Sequence, residues 1–173
     1  MKTSLAPVDR ARDLEQALAL RAAHPEALVL AGGTDVMVFL EAGAIDPPRF
    51  LDLWGCAGLR GVEASAEGGL RIGALTTWSE LAEHPATPVA LRNCARTIGA
   101  LQIQNRGTVG GNVCNAAPSA DTAPPLLVAG AVARIHGPAG QREIPIASFF
   151  TGPGRTALTV GEVLVAIHVP AQP

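Results

Sequence analysis

Apolar positions in this chain fall in short runs punctuated by glycine, proline and small polar residues. Asp13 and Gln16 match a capping box, and Leu14, Ala17, Leu18 and Leu20 supply the apolar positions of the helix it opens. Leu28, Val29 and Leu30 read as a short buried strand that runs straight into Ala31-Gly32-Gly33-Thr34-Asp35. Residues 36–41 then read as a helix that ends near Gly43, and residues 50–53 as the next strand. This first stretch is a small βαβ-like unit. Residues 54–59 break the pattern, which divides the chain into parts 1–53 and 54–173.

The second part changes character. Residues 61–64 and 70–72, joined by Glu67-Gly68-Gly69, read as a hairpin. Thr77 and Glu80 form another capping box, before a helix that stops at Pro85. Residues 88–98 read as helical, and residues 123–129 have short helical character. Residues 131–136 and 142–146 form a second hairpin around Pro138-Ala139, and residues 163–169 close the chain as a strand. Residues 101–125 follow none of these periods. They hold few large apolar groups, so they are expected to form a binding surface rather than to fill a core.

Composition narrows the field. A chain of 173 residues, 48% hydrophobic and 16% charged, builds about one domain with a core. A net charge of −2 with no basic stripe argues against nucleic acid, and aromatics at 3% leave few stacking platforms. No apolar stretch matches a signal peptide or a membrane span, so a cytoplasmic location is expected. Cys56, Cys94 and Cys114 are widely spaced and form no CxxC, so free thiols are expected rather than a zinc or iron–sulfur site. Cys114 falls inside the glycine-rich run, where it is placed to line a pocket.

Two glycine segments carry the candidate chemistry. In Ala31-Gly32-Gly33-Thr34-Asp35, strand, glycine pair and helix start follow one another, so successive amides can form an anion nest aided by the helix dipole. An ordinary turn is the competing reading. Asp35 would repel a phosphate, so it is expected to cap the helix or to accept from backbone amides. Neither a Walker A motif nor GxGxxG occurs. Thr108-Val109-Gly110-Gly111-Asn112 repeats the pattern, and together the two nests fit a ligand with two phosphates. Asn112 and Asn115 read either as ligand donors or as left-handed turn residues. Asp121 reads either as an acceptor for sugar hydroxyls or as the N-cap of the turn that follows it.

Three stretches, LVLAGGTDVMV, QIQNRGTVGGNVCNAAPSADTAP and FFTGPGRTALTVGEVLVAIHVP, resemble the FAD-binding domain of molybdenum hydroxylases. That family includes the flavin subunit of carbon monoxide dehydrogenase and the flavin domain of xanthine dehydrogenase. The resemblance implies an α+β, two-lobed FAD-binding fold (PCMH or vanillyl-alcohol-oxidase-like), with a small parallel sheet in the N-terminal lobe and a larger antiparallel sheet in the second. By position, Ala31, Gly32, Gly33, Thr34 and Asp35 would hold the pyrophosphate from one lobe; Thr108, Gly110, Gly111 and Asn112 would hold it and the ribityl chain from the other, with Val109 counted in the same cofactor-binding segment. Asn115 and Asp121 would take ribityl or ribose hydroxyls, and Cys114 and Leu164 would pack near the isoalloxazine. Gln104 stands where relatives commonly carry Arg.

The resemblance also implies a role: an FAD-dependent electron-transfer subunit working with a [2Fe–2S] small subunit and a molybdopterin large subunit, and delivering electrons to NAD⁺, oxygen or a quinone. No catalytic side chain and no resident metal are expected, and His24, His84, His136 and His168 are scattered. Relatives of the separate-subunit type continue past the strand matched by residues 163–169 into a domain that helps cover the flavin. A chain that stops at Pro173 is expected to hold FAD more openly and to lean on it for stability. The rival readings are a stand-alone flavin reductase of related fold and a degenerate domain that serves in assembly.

Overall fold

The computed structural model describes residues 6–66 and 68–171. Glu67, read as part of a hairpin turn, and Pro173 lie outside the described residues. The first part is built from β1 (Val8–Arg10), α1 (Leu14–Ala23), β2 (Leu28–Leu30), α2 (Thr34–Glu41) and β3 (Phe50–Asp52). Its sheet is parallel, in the order β1-β3-β2. The Asp13 carboxylate caps α1 by accepting from the Gln16 amide at 2.8 Å. The reciprocal bond differs from a true capping box, because the Gln16 side chain accepts from the amide of Arg12 at 2.9 Å rather than from that of Asp13. Helix α2 starts two residues earlier than its apolar pattern indicated, so Asp35 lies inside its first turn. No residue of α2 is buried, and Met37, Val38 and Phe39 are exposed.

A 3₁₀ turn (Ala57–Leu59) leads into the second part. Here the chain forms β4 (Val62–Ala64), β5 (Leu70–Gly73), α3 (Trp78–Glu83), α4 (Val89–Thr97), α5 (Leu101–Gln104), α6 (Val109–Asn115) and α7 (Ala123–Val128). It continues through β6 (Val132–Gly137), β7 (Gly140–Pro145), α8 (Ile146–Phe149), β8 (Phe150–Gly152), β9 (Arg155–Thr156) and β10 (Val163–Val169). Thr77 and Glu80 make both bonds of the expected capping box, and His24 and His84 stand as the C-caps of α1 and α3. The main sheet is antiparallel with order β4-β5-β10-β6-β7, so the last strand in sequence is the central one in space.

That central place makes β10 the seam of the molecule. Alternation along the strand lets consecutive side chains serve different cores, and a bulge between Leu164 and Ala166 keeps Leu164 on the same face as Ile167 and Val169. Val163 joins the core around Ala17, Leu51 and Leu53, while Leu164, Ile167 and Val169 join the core around Ile72, Trp78, Leu126 and Phe149. The first core is also completed by Cys56, Leu59 and Leu75. A cation–π sandwich ties the surface of the same junction, with the guanidinium carbons of Arg106 and Arg60 lying 3.7 and 4.2 Å from the Trp54 ring centre.

Candidate functional site

The first glycine segment behaves as its chemistry suggested. Strand β2 delivers the chain to Ala31 and Gly32, Gly33 turns it with φ of 76°, and α2 begins at Thr34. A left-handed conformation at this point favours glycine. Gly33 is the N-cap and has no side chain to satisfy the helix's first donors. The amides of Gly32, Gly33, Thr34 and Asp35 find no acceptor among the described residues. Unspent donors at the start of an eight-residue helix form a site of positive potential.

The second segment differs from the open loop the sequence suggested. Residues 109–115 are helix α6, capped by the Thr108 hydroxyl, which accepts from the Gly111 amide at 3.0 Å. The Val109 amide donates to the Thr76 carbonyl at 2.9 Å, that of Gly110 to Ala74 at 2.8 Å, and that of Asn112 to Thr108 at 3.0 Å. These amides are therefore not a second anion nest. Val109, Gly110 and Val113 are buried, so the segment does contribute to a core. Gly110 is required by packing, because a Cβ there would lie 2.6 Å from Ala74. Asn112 and Asn115 are helical, and the left-handed residue is Ala116, with φ of 48°.

Tertiary folding brings the two segments face to face. A Cβ on Gly32 would lie 1.9 Å from the Arg106 carbonyl oxygen, so β2 and the approach to α6 touch backbone to backbone. A Cβ on Gly111 would sit 3.9 Å from the Ala31 side chain. The Asn115 amide donates to the Asp35 carboxylate at 2.7 Å, across 80 residues of sequence. Asp35 thus neither caps α2 nor accepts from backbone amides; a side chain from the opposite part holds it.

A cleft of about 630 Å³ opens between the two segments, in the size range of cofactor pockets. It is lined by Ala31, Gly32, Gly33, Thr34, Asp35, Thr108, Gly110, Gly111, Asn112, Cys114, Asn115 and Leu164, all singled out from sequence. Val109 instead faces the core. Asp121 is exposed and outside the lining; its carbonyl accepts from the Cys94 thiol, and Thr122 rather than Asp121 is the N-cap of α7. Gly107, read from sequence as a point of close backbone approach, also lines the cleft, whereas sequence reasoning missed Trp78, Ile98, Ile103 and the wall at Leu158, Thr159, Val160 and Glu162. Thr122 was missed too: it is buried and donates its hydroxyl to the Asn112 side chain at 2.6 Å, fixing that group. Gln104 turns away and donates to the Arg96 carbonyl.

The electrostatics of the cleft rest on backbone more than on cationic side chains. Arg21 lines it, but its guanidinium donates to the carbonyls of Pro25 and Ala27. Burial pushes the Cys114 thiol up to about 12, so it is a neutral, unreactive wall group at neutral pH. Glu162 is driven down to about 2, chiefly by the hydrogen bonds from Arg142 and against the cost of burial. The arrangement therefore offers amides and a helix start to an anion at one end and apolar walls to a flat or extended group beyond it.

Residues 4–172 match the model of the FAD-binding domain in molybdopterin dehydrogenase. The chain belongs to that family. The xanthine dehydrogenase FAD-binding subunit of Escherichia coli O157:H7 is 44% identical over 167 residues, which cover 95% of this chain and 57% of the relative. The carbon monoxide dehydrogenase medium chain of Hydrogenophaga pseudoflava is 31% identical, over 84% of this chain and 52% of the relative. A solved carbon monoxide dehydrogenase from Hydrogenophaga pseudoflava superposes with a TM-score of 0.93 at 28% identity, covering 100% of this chain and 61% of that one. Quinoline 2-oxidoreductase from Pseudomonas putida 86 superposes with a TM-score of 0.92 at 26% identity. The chain spans little more than half the length of these curated relatives. The α+β architecture expected of a molybdopterin dehydrogenase FAD-binding domain is the one found, and FAD is the cofactor of the family. Among the described residues, no helix is long and apolar enough to cross a membrane.

Proposed function

We propose that this chain holds FAD in the cleft between its two parts and serves as the flavin relay of a molybdenum hydroxylase complex. In that role it takes electrons from the [2Fe–2S] clusters of a partner subunit, reduced in turn by a molybdopterin subunit, and passes them to NAD⁺, oxygen or a quinone. The observation that carries the reading is the unspent amide cradle at residues 32–35, opening directly onto a cleft with apolar walls. Those donors fit a pyrophosphate, and the Gly32–Arg106 contact leaves no room for a side chain beside them.

When bound, FAD supplies the electron-carrying chemistry. The residues of the chain bind and orient it. Gly32, Gly33, Thr34 and Asp35 would present amides to the pyrophosphate. Asn115 would hold the Asp35 carboxylate aside. Thr108, Gly111 and Asn112 would face the cofactor from α6, and Cys114 and Leu164 would give its ring an apolar bed. Partnership with iron–sulfur and molybdopterin subunits is supported by the family and by the relatives named above.

The test is a titration of the purified chain with FAD, followed by the visible spectrum and by extraction of the bound flavin. Flavin bands with FAD recovered support the reading. A chain that shows no flavin bands once unbound FAD has been removed is the degenerate domain. A chain that binds FAD, reduces an organic substrate at the expense of an added reduced nicotinamide without any partner subunit, and captures no iron–sulfur subunit is the stand-alone reductase.

A further inference from the structure

Between β9 and β10 the chain makes a turn, residues 157–162, that walls the cleft with Leu158, Thr159, Val160 and Glu162. Apolar packing does not hold the end of this turn, because Val160 is 74% exposed while lining the cleft. A guanidinium–carboxylate pair holds it instead. Arg142, on the edge strand β7, grips both oxygens of Glu162 at 2.6 and 2.7 Å. Its Nη2 also donates to the Ala157 carbonyl at 2.8 Å. The Glu162 carboxylate in turn accepts from the Thr159 amide at 2.7 Å. One ion pair thus fixes the start, the middle and the end of the turn. The fork-to-carboxylate geometry sets direction as well as distance. Gly137 lets Glu162 lie flat on β6, since a Cβ there would come within 2.6 Å of the Glu162 Cγ.

We propose that Arg142 and Glu162 are positioning residues for the flavin: their brace sets the Leu158–Val160 wall against the isoalloxazine ring. This rests on the reading of the cleft as the FAD site. Leu158 packs on the same core as Cys114, so the braced turn and α6 form two sides of one slot. Val160 is the apolar group that a seated ring would cover. The low pKa of Glu162 keeps the brace charged across the neutral range.

Wild type, Glu162→Gln and Arg142→Met are titrated with FAD, and iodide quenching of the bound flavin's fluorescence is then measured. Glu143→Gln is the control. It breaks the 2.7 Å Arg134–Glu143 pair on the same hairpin without touching the turn. The brace variants are expected to weaken FAD binding about tenfold, equivalent to about 1.4 kcal/mol, and to leave the bound flavin more open to iodide, while the control matches wild type. Brace variants with wild-type affinity and quenching overturn the proposal. Quenching raised equally by Glu143→Gln overturns it as well, because general loosening of the hairpin then explains the effect. If either brace variant fails to fold, Arg142→Lys, which keeps the charge but not the fork, decides by intermediate or unchanged quenching. A wild type that does not bind FAD removes the cleft reading itself, and the brace with it.

Discussion

Gly32 and Gly111 have the same residue type and different surroundings, and the difference sets what a methyl group would do. At Gly32 the added Cβ meets the Arg106 carbonyl at 1.9 Å, and backbone on both sides must move. Gly32→Ala is expected to cost about 2–3 kcal/mol and to abolish FAD binding, read by thermal melting and flavin titration. At Gly111 the added Cβ meets the Thr108 hydroxyl at 2.8 Å, a side-chain group that can rotate. There the gain of about 1 kcal/mol in helix propensity offsets a weakened cap. Gly111→Ala is therefore expected to melt within about 1 kcal/mol of wild type while still losing FAD affinity. Asp35 poses a different question, because it places a carboxylate beside amides meant for an anion. Asp35→Asn is expected to tighten FAD binding several-fold at low salt. The gain should shrink as salt is raised, since the carboxylate is exposed and screened. A gain that ignores salt would mean that hydrogen bonding to Asn115, not charge, sets the effect.

At the scale of elements, helix α6 shows how a segment with weak local signals acquires structure. Two adjacent glycines cost it helix propensity, yet its first amides donate to the Ala74 and Thr76 carbonyls and its cap is a buried threonine. Thr108→Ala is expected to destabilise the chain by about 1 kcal/mol or more, since both the cap and a buried hydroxyl are lost. The test is denaturant unfolding. The turn before β10 has a pH signature. Glu162 falls from an ordinary 4.5 to about 2 in the folded chain, so its proton is bound more tightly by the unfolded chain. The stability this contributes is complete above the unfolded value and is lost as pH falls through the folded one. Acid unfolding followed between pH 5 and 2 should therefore be steeper in wild type than in Glu162→Gln, in which this limb is missing.

For the whole molecule, the cleft joins two cores that meet along β10, so a ligand bridging the parts should stabilise both. FAD at about a hundred times its dissociation constant adds about 2.7 kcal/mol, which raises the melting temperature by about 5–10 °C in a chain of this size. Unchanged melting in saturating FAD would mean that the cofactor does not span the two parts.

What the sequence determined by itself is local. The strand-glycine-helix order of residues 28–41, the capping pairs at Asp13 and Thr77, and the two hairpins follow from torsional preference and from hydrogen bonds a few residues long. The three motif stretches also made the family legible, and with it the cofactor. Tertiary structure decided the rest. Residues 109–115 became a helix because carbonyls of Ala74 and Thr76, distant in sequence, took up its amides. β10, last in the chain, became the central strand because its continuous apolar run can be buried on both faces only there. Asp35 found Asn115, and Glu162 found Arg142, across 80 and 20 residues. Long-range pairs of this kind depend on how sheets and helices stack, and no spacing along the chain encodes that.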